Sequence, residues 1–410
     1  MRLNGFAVVV LVSAALAVGA CGRSNPSDEP VVASAGGAAG AGDQVPVYEW
    51  DPHWPKRPLP NKWAVGNMVG AHVDSQDHVW VVHRPRTLLE GSEDDAAYDL
   101  PESECCIPAP AVIEFDQAGN VVQAWGGPKA DAFKASGIGA GGPRSIDPKK
   151  LMWTQPEGYT WPESEHTIFV DHQSHVWVGN NGGSHINKFT RDGKYLLTVG
   201  RVGAQGNHSN TTDALKRPAG VTVDPKTNEL YVADGYGNRR VIVFDAETGA
   251  YKRHWGAYGK TPDDSVPFTY DPKGPLSTQM NTVHCVWIDN KDEVYVCDRA
   301  NSRIQVFKRD GTFVREAQVA PETMRGSVLD LAFSKDPEQR WMFVADGRND
   351  KVWILRKSDM TVVGSFGHSS HWGGGFTVAH SIAIDSKNNI YVAETLTGQR
   401  IQRFLYKGTM

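Results

Sequence analysis

One unit recurs six times along this chain of 410 residues, and a recurring unit restricts the fold more than any other feature of a sequence. The unit reads apolar-x-apolar-Asp, a polar turn, an apolar run with Tyr or Trp, a loop, and a further alternating segment. The copies are GAHVDSQDHVWVVHR, TIFVDHQSHVWVGNN, GVTVDPKTNELYVADGYGNRRVIVFD, CVWIDNKDEVYVCDRANSRIQVFKRDG, LAFSKDPEQRWMFVADGRNDKVWILRK and IAIDSKNNIYVAETLTGQRIQRF. Apolar and polar residues alternate with period two, as in strands with one buried face. Asp, Asn, Gly and Lys in the turns suit tight hairpins. About four short antiparallel strands per copy make one blade, and six blades close into an all-β, six-bladed β-propeller that leaves only short sheet edges. The content of 42 Gly and 13 Trp fits such a turn-rich, aromatic-packed fold.

The blades are not equally regular. The outer strands of the first copy are delayed to AVIEFDQAGNVVQAWGG, behind an insertion from about Pro85 to Pro110. The sixth copy lacks a fourth strand before the C-terminus, and VYEWDPHW near the start of the domain can supply it. The propeller is therefore expected to span residues 46–410, with both ends of the chain in one blade. Further insertions run from about Gly127 to Glu165, Lys260 to Thr282 and Gly367 to Ala379. Long loops in a compact domain tend to carry function.

Each of these three insertions leads into a histidine: His166 in HTIFVD, His284 in HCVWID and His380 in HSIAID. In all three the aspartate follows five residues later. Equivalent residues of units arranged around an axis lie at equivalent heights. Imidazoles from blades 2, 4 and 6 therefore converge on the axis with threefold spacing. A single histidine at a strand start is ordinarily a hydrogen-bonded structural residue, but three in one register point to a metal. Three histidines with an open fourth position form a catalytic zinc arrangement, and such a metal polarises an oxygen. The second strand of each blade returns to the same face, where Arg84 follows in VVHRPR, Tyr236 in VADGYGNRR and Arg299 in VCDRANSR. A guanidinium fork suits a carboxylate, and a phenol beside cations can serve as a base. His72, His78, His83, His172, His175 and His185 share no such register, and most of them are expected in turns or on the surface.

The amino terminus reads differently. Arg2 precedes FAVVVLVSAALAVGA, which ends at Cys21 and is too short for a comfortable membrane span. Val18-Gly19-Ala20-Cys21 resembles a bacterial lipobox. The expected plan is a lipoprotein signal peptide at 1–20, lipidation at Cys21 and a flexible Gly/Ala/Ser-rich tether at 21–45. The mature protein is then exported and lipid-anchored to the cell envelope. Gly22 is not the aspartate that often retains lipoproteins in an inner membrane, which favours an outer membrane where there is one. Plain secretion after cleavage at Ala20 is the alternative. Cys285 and Cys297 flank the hairpin WIDNKDEVYV nearly opposite each other, so a cross-strand disulfide is expected. For the adjacent Cys105 and Cys106, a vicinal disulfide and a thiol pair are both open. A net charge of −5 gives no electrostatic footprint for nucleic acid, and a monomer is expected.

The repeat resembles the NHL family of β-propellers. With the three histidines, Tyr236 and the two arginines, the chain is similar to peptidyl-α-hydroxyglycine α-amidating lyase over about residues 65–405. The sharpest segments are VDPKTNELYVADGYGNRRVIVF and DRANSRIQVFKRDGTFVRE. This resemblance implies a zinc held by His166, His284 and His380, Tyr236 as the catalytic tyrosine, Arg84 as the substrate-binding arginine and Arg299 as a second active-site arginine. It implies a carbon-nitrogen lyase, peptidylamidoglycolate lyase-like, splitting the N–C bond of an α-hydroxyglycine-like peptide or amide substrate into an amide and glyoxylate. The chain departs from the family at three places. Gly237 stands where the animal enzymes have a cysteine, Val378 where a methionine lies near the last zinc histidine, and Ser381 where the family's structural calcium draws on an acidic residue. The last departure argues against calcium, a hard cation that prefers carboxylate oxygen. Two other readings stand beside this one. The first is a non-catalytic, lipid-anchored NHL propeller binding protein or glycan through its loop-covered face. The second is a metal-dependent lactonase or esterase, for which the histidine rim offers no matching acidic ligand set.

Overall fold

A computed structural model describes residues 44–88, 106–127 and 156–410. Six four-stranded antiparallel sheets follow one another around a central axis. The expected six-bladed propeller is the fold. Blade 1 runs Asn67–Val73, Val79–Arg84, Val112–Phe115 and Val121–Trp125, so its outer strands do come after the insertion. The innermost strands of blades 2 to 6 are Glu165–Val170, Gly220–Asp224, Val283–Ile288, Asp330–Phe333 and Ala379–Ile384. The signal peptide, Cys21 and most of the tether lie outside the described residues, as do Cys105 and the insertion residues 89–105 and 128–155. Cys106 is disulfide-bonded.

The repeated aspartate explains why each unit turns where it does. Asp74, Asp171, Asp289 and Asp385 each accept two backbone N–H groups, from residues two and four positions on, at 2.8–3.0 Å. Such a side chain stands in for a backbone turn and ends the first strand. The other carboxylate oxygen reaches the second strand: Asp74 accepts from Trp80 Nε1 and Asp171 from Trp177 Nε1, both at 2.9 Å. One residue thus sets both the hairpin and the packing of its aromatic partner.

Alternation along the strands sends side chains to both neighbouring blades. The core is consequently split into six apolar clusters, each shared by two adjacent blades. No blade can bury its faces alone, so the ring must close. Closure is made in blade 6, where Pro46–Asp51 pairs with Arg400–Thr409. Val45 extends this pairing through a reciprocal pair of backbone hydrogen bonds with Met410 at 2.8 and 3.0 Å, one residue before the expected boundary. Cys285 and Cys297 are directly opposed in blade 4 with Cα atoms 4.9 Å apart, and they form the expected disulfide.

Tyr48 is the main apolar contribution of the closing strand. It is fully buried and packs on Phe343 and Phe366 of blade 5 with ring centroids 5.6 and 5.1 Å away. Replacing it with alanine should cost about 3–5 kcal/mol in urea unfolding, the usual price of truncating a buried aromatic. Glu49→Ala, on the exposed side of the same strand, should stay within about 0.5 kcal/mol of the parent. Similar small effects for both would mean that the ring closes without this strand.

Candidate metal centre

The turn aspartates also index the axis. Counting back five residues from Asp74, Asp171, Asp224, Asp289, Ser334 and Asp385 gives Val69, His166, Ala219, His284, Leu329 and His380. Imidazoles thus alternate with apolar residues around the ring. All three histidines sit at β-bulges: strand pairing skips from Glu165 to Ile168, from Val283 to Cys285 and from Ala379 to Ser381. A bulged residue leaves the ladder and its side chain is re-aimed, here toward the axis.

The apolar positions between them are not idle. His166 Nδ1 donates to Ala219 O at 2.8 Å, His284 Nδ1 to Leu329 O at 2.6 Å, and His380 Nδ1 to Val69 O at 2.8 Å. A carbonyl can only accept, so Nδ1 carries the proton and Nε2 keeps its lone pair. This is the outer support that metal-binding histidines normally have. The three ring centroids are 5.0, 4.8 and 4.9 Å apart, nearly an equilateral triangle, and the potential ligand atoms lie within 4.8 Å of one another. Burial holds His166 and His284 well below the usual imidazole range, with further lowering first from the neighbouring imidazoles and then from Arg84 at His166 and Arg299 at His284. His380 is pushed down to about 3 by burial first, then by the charges of Arg84 and Arg299. Three neutral, buried imidazoles with fixed tautomers form a donor set that fits a divalent metal with nitrogen preference.

Tyr236 and Arg299 complete one side of the site. The Tyr236 hydroxyl lies 3.2 Å from His166 Nε2 and 3.0 Å from His284 Nε2, and it accepts a hydrogen bond from Arg299 Nη1 at 3.1 Å. The loops carrying them are built alike. Asp234, at the end of its strand, holds Asn238 and Arg240 at 2.7 and 2.9 Å. Asp298 holds Asn301 and Arg303 at 2.8 and 2.7 Å. Both Asp–Arg pairs are wholly buried, so each loop is clamped at its base. Gly235 lies so close to Val283, beside His284, that a Cβ would collide with backbone. Arg217, with φ +59, lies over the Tyr236 ring at 5.5 Å. On the other side Arg84 Nε donates to Glu165 O at 2.7 Å, which brings its charge beside His166 and His380. All six residues expected at the site therefore share one face, His166, His284 and His380 at the axis with Tyr236, Arg84 and Arg299 around them.

Sequence reasoning missed Asp330. It lies one residue beyond Leu329, at the level of Ser381, and is buried in the channel under the histidines. One carboxylate oxygen accepts from Trp287 Nε1 at 2.8 Å and Leu331 N at 2.9 Å, the other from Ser381 Oγ at 2.8 Å and Ile382 N at 3.1 Å. Burial raises its pKa to about 6. Four donors saturate this carboxylate, and the cavity beside it holds about 20 Å³, room for little more than one water. Asp330 is thus a brace between blades 4, 5 and 6. A second group of possible ligands, Asp74, His78 and Glu114, already holds the Arg191 guanidinium, which bonds both carboxylates. The expectation of surface or turn positions fails for His72, His83 and His185: His72 lies within the strand Asn67–Val73, where its Nδ1 accepts from Val170 N at 3.2 Å. His83 and His185 are buried and paired to the carbonyls of Pro110 and Thr160 at 3.0 and 3.1 Å.

The NHL repeat family matches residues 215–244 and 280–307, the first three strands of blades 3 and 4. This is a six-bladed propeller with NHL repeats. A peptidylglycine alpha-amidating monooxygenase of Rattus norvegicus is 28% identical over 179 residues, 43% of this chain and 17% of that protein. The alignable part is thus a small fraction of that relative's length. NHL repeat-containing protein 3 of Homo sapiens is 25% identical over 284 residues, 63% of this chain and 73% of its own. A probable peptidyl-alpha-hydroxyglycine alpha-amidating lyase of Caenorhabditis elegans is 22% identical over 234 residues, 56% of this chain and 60% of its own. A structural genomics protein of unknown function from Bacteroides thetaiotaomicron shares the fold, with a TM-score of 0.51 at 12% identity over 92% of this chain and 75% of its own.

Two measurements bear on the histidines. Untagged protein equilibrated with trace zinc and desalted should retain about one metal ion per chain, and His284→Ala should retain less than about a tenth of that. Equal retention by both would place the metal elsewhere. In metal-free protein, the unfolded chain protonates the residue-380 imidazole as pH falls through about 6.5, whereas the folded chain resists down to about 3. This group's contribution is complete above pH 6.5 and is lost as pH falls toward 3. His380→Asn should make the pH slope of urea stability shallower by about one proton across that window. An unchanged slope would mean that the folded imidazole titrates normally.

Proposed function

We propose that this chain is a zinc-dependent carbon-nitrogen lyase acting on α-hydroxyglycine-like amides, a reading supported by the Caenorhabditis elegans relative named a probable peptidyl-alpha-hydroxyglycine alpha-amidating lyase. The observation that carries this reading is the Tyr236 oxygen, held by Arg299 against the open side of three neutral imidazoles. His166, His284 and His380 would hold the metal, which when bound supplies Lewis-acid polarisation of a substrate oxygen. The chain's own groups account for the rest. Arg84 offers a fork for the substrate carboxylate. As the phenolate that the Arg299 guanidinium favours, Tyr236 takes the proton of the substrate hydroxyl and becomes the neutral phenol. The C–O electron pair then forms the aldehyde of glyoxylate while the N–C bond breaks, and the proton returns to the nitrogen to give the amide. Every atom of the substrate is kept in the two products, so no oxidant and no water is consumed.

The commitment of the buried Asp330 carboxylate to four hydrogen bonds supports this reading over hydrolysis by a carboxylate-held metal. A small peptide or amide substrate and a monomeric protein, exported and lipid-anchored at Cys21, complete the proposal. The test is glyoxylate release from a peptide ending in α-hydroxyglycine. Tyr236→Phe should lower kcat by at least about 100-fold, the lower end of what a positioned base contributes. Arg84→Ala should act mainly on KM, and chelation should abolish turnover. Zinc-loaded protein that releases no glyoxylate sinks the reading.

A further inference from the structure

Arg299 does not stand alone on its side of the mouth. Its carbonyl is pressed against Gly326, where φ is +87 and a Cβ would collide with that carbonyl. The preceding residue, Arg325, is itself held at φ +70. The turn carrying Arg348 is tied to the same segment, since Asn349 Nδ2 donates to Thr323 Oγ1 at 2.8 Å. The base of that turn is fixed by Asp346, which accepts the backbone N–H groups of Arg348 and Asn349 at 2.9 and 3.0 Å. Arg299, Arg325 and Arg348 are therefore brought together by backbone that is pinned at several points. Their mutual influence is plain at Arg348, whose pKa is lowered by partial burial and then by the charges of Arg299 and Arg325.

Among the described residues, no carboxylate lies within ion-pair distance of any of these three guanidiniums. The Arg299 Nε is buried without a hydrogen-bond acceptor. Arg325 and Arg348 are exposed and Arg299 is half-buried. Three like charges held together repel one another, and an anion among them relieves that repulsion. Arg84 belongs to blade 1 and Arg299 to blade 4, half a turn away around a six-membered ring. We propose that Arg299, Arg325 and Arg348 form a second anion subsite across the metal centre from Arg84, taking a carboxylate on the amide side of the substrate. This deepens the lyase reading and rests on it for the placement of the first carboxylate at Arg84. The substrate class is then a dianionic carbinolamide, with one carboxylate on the α-hydroxyglycine carbon and one on the acyl part.

The test uses ligands that cannot react. N-succinylglycine and N-acetylglycine both lack the hydroxyl, and they differ by one carboxylate on the acyl side. Calorimetric titration of the zinc-loaded protein at low salt should show N-succinylglycine binding about 10-fold more tightly or better, as a charge-assisted contact allows. The preference should fall below about twofold in the Arg325→Ala, Arg348→Ala double variant, and it should shrink as ionic strength rises and screening sets in. Arg84→Ala should weaken both ligands by a similar factor. Equal affinities in the parent protein, no binding of N-succinylglycine, or a preference that survives the double variant each overturns the subsite. The comparison in the parent protein stands whatever the stability of the variant. Because neither ligand is turned over, absence of glyoxylate release would remove the lyase reading and leave this measurement intact.

Discussion

The hydrogen bond from each histidine Nδ1 to a carbonyl of the next blade is the interaction on which the centre depends. It joins blade 2 to 3, blade 4 to 5 and blade 6 to 1, so half of the inter-blade seams are tied at the axis by the same groups that face the metal position. The other seams have their own ties close by. Arg84 reaches Glu165 O between blades 1 and 2, Thr222 Oγ1 donates to Val286 O at 2.6 Å between blades 3 and 4, and Ser381 donates to Asp330 between blades 5 and 6. Metal-ligand geometry and ring closure are thus one constraint. A shift of any blade along the axis would lengthen a hydrogen bond and displace an imidazole together.

The electrostatics follow from the same placement. Burial makes a protonated imidazole costly, and the arginines at the rim add to that cost. Those arginines simultaneously favour a negative charge at the mouth, whether a substrate carboxylate or a phenolate at Tyr236. A site that keeps its ligands neutral and its surroundings cationic suits a divalent ion and an anionic substrate in adjacent positions. The price is like-charge repulsion on the blade 4 and 5 side, which the buried Asp298–Arg303 pair and the positive-φ backbone at Arg325 and Gly326 hold in place.

Much of this was legible in the sequence, for a definite reason. A strand ends at its turn aspartate because the carboxylate organises the turn, so distance from that aspartate is distance along the axis. The spacing of His166, His284 and His380 therefore survived translation into three dimensions, as did the opposition of Cys285 and Cys297. What the sequence hid was backbone. Val69, Ala219 and Leu329 read as ordinary core residues, and nothing in their side chains announces that their carbonyls fix three tautomers. The bulges that turn the histidines inward leave no composition signal either. Asp330 was hidden because blade 5 ends its first strand at Ser334 instead of aspartate, which obscures the register that would have set it beside Ser381. Arg325 and Arg348 sit in turns whose approach to Arg299 depends on cross-loop contacts between residues distant in sequence. His83 and His185 were misjudged because backbone carbonyls satisfy buried imidazoles as well as water does.

Ring closure bears on how the site meets its surroundings. Glu394 and Arg400, paired across the second and third strands of blade 6, lie at the histidine face, so Thr409 and its partner Pro46 lie at the opposite face. The chain thus enters the propeller from the side away from Tyr236 and the three imidazoles. The described residues before Pro46 therefore join the ring at the face opposite Arg84 and Arg299.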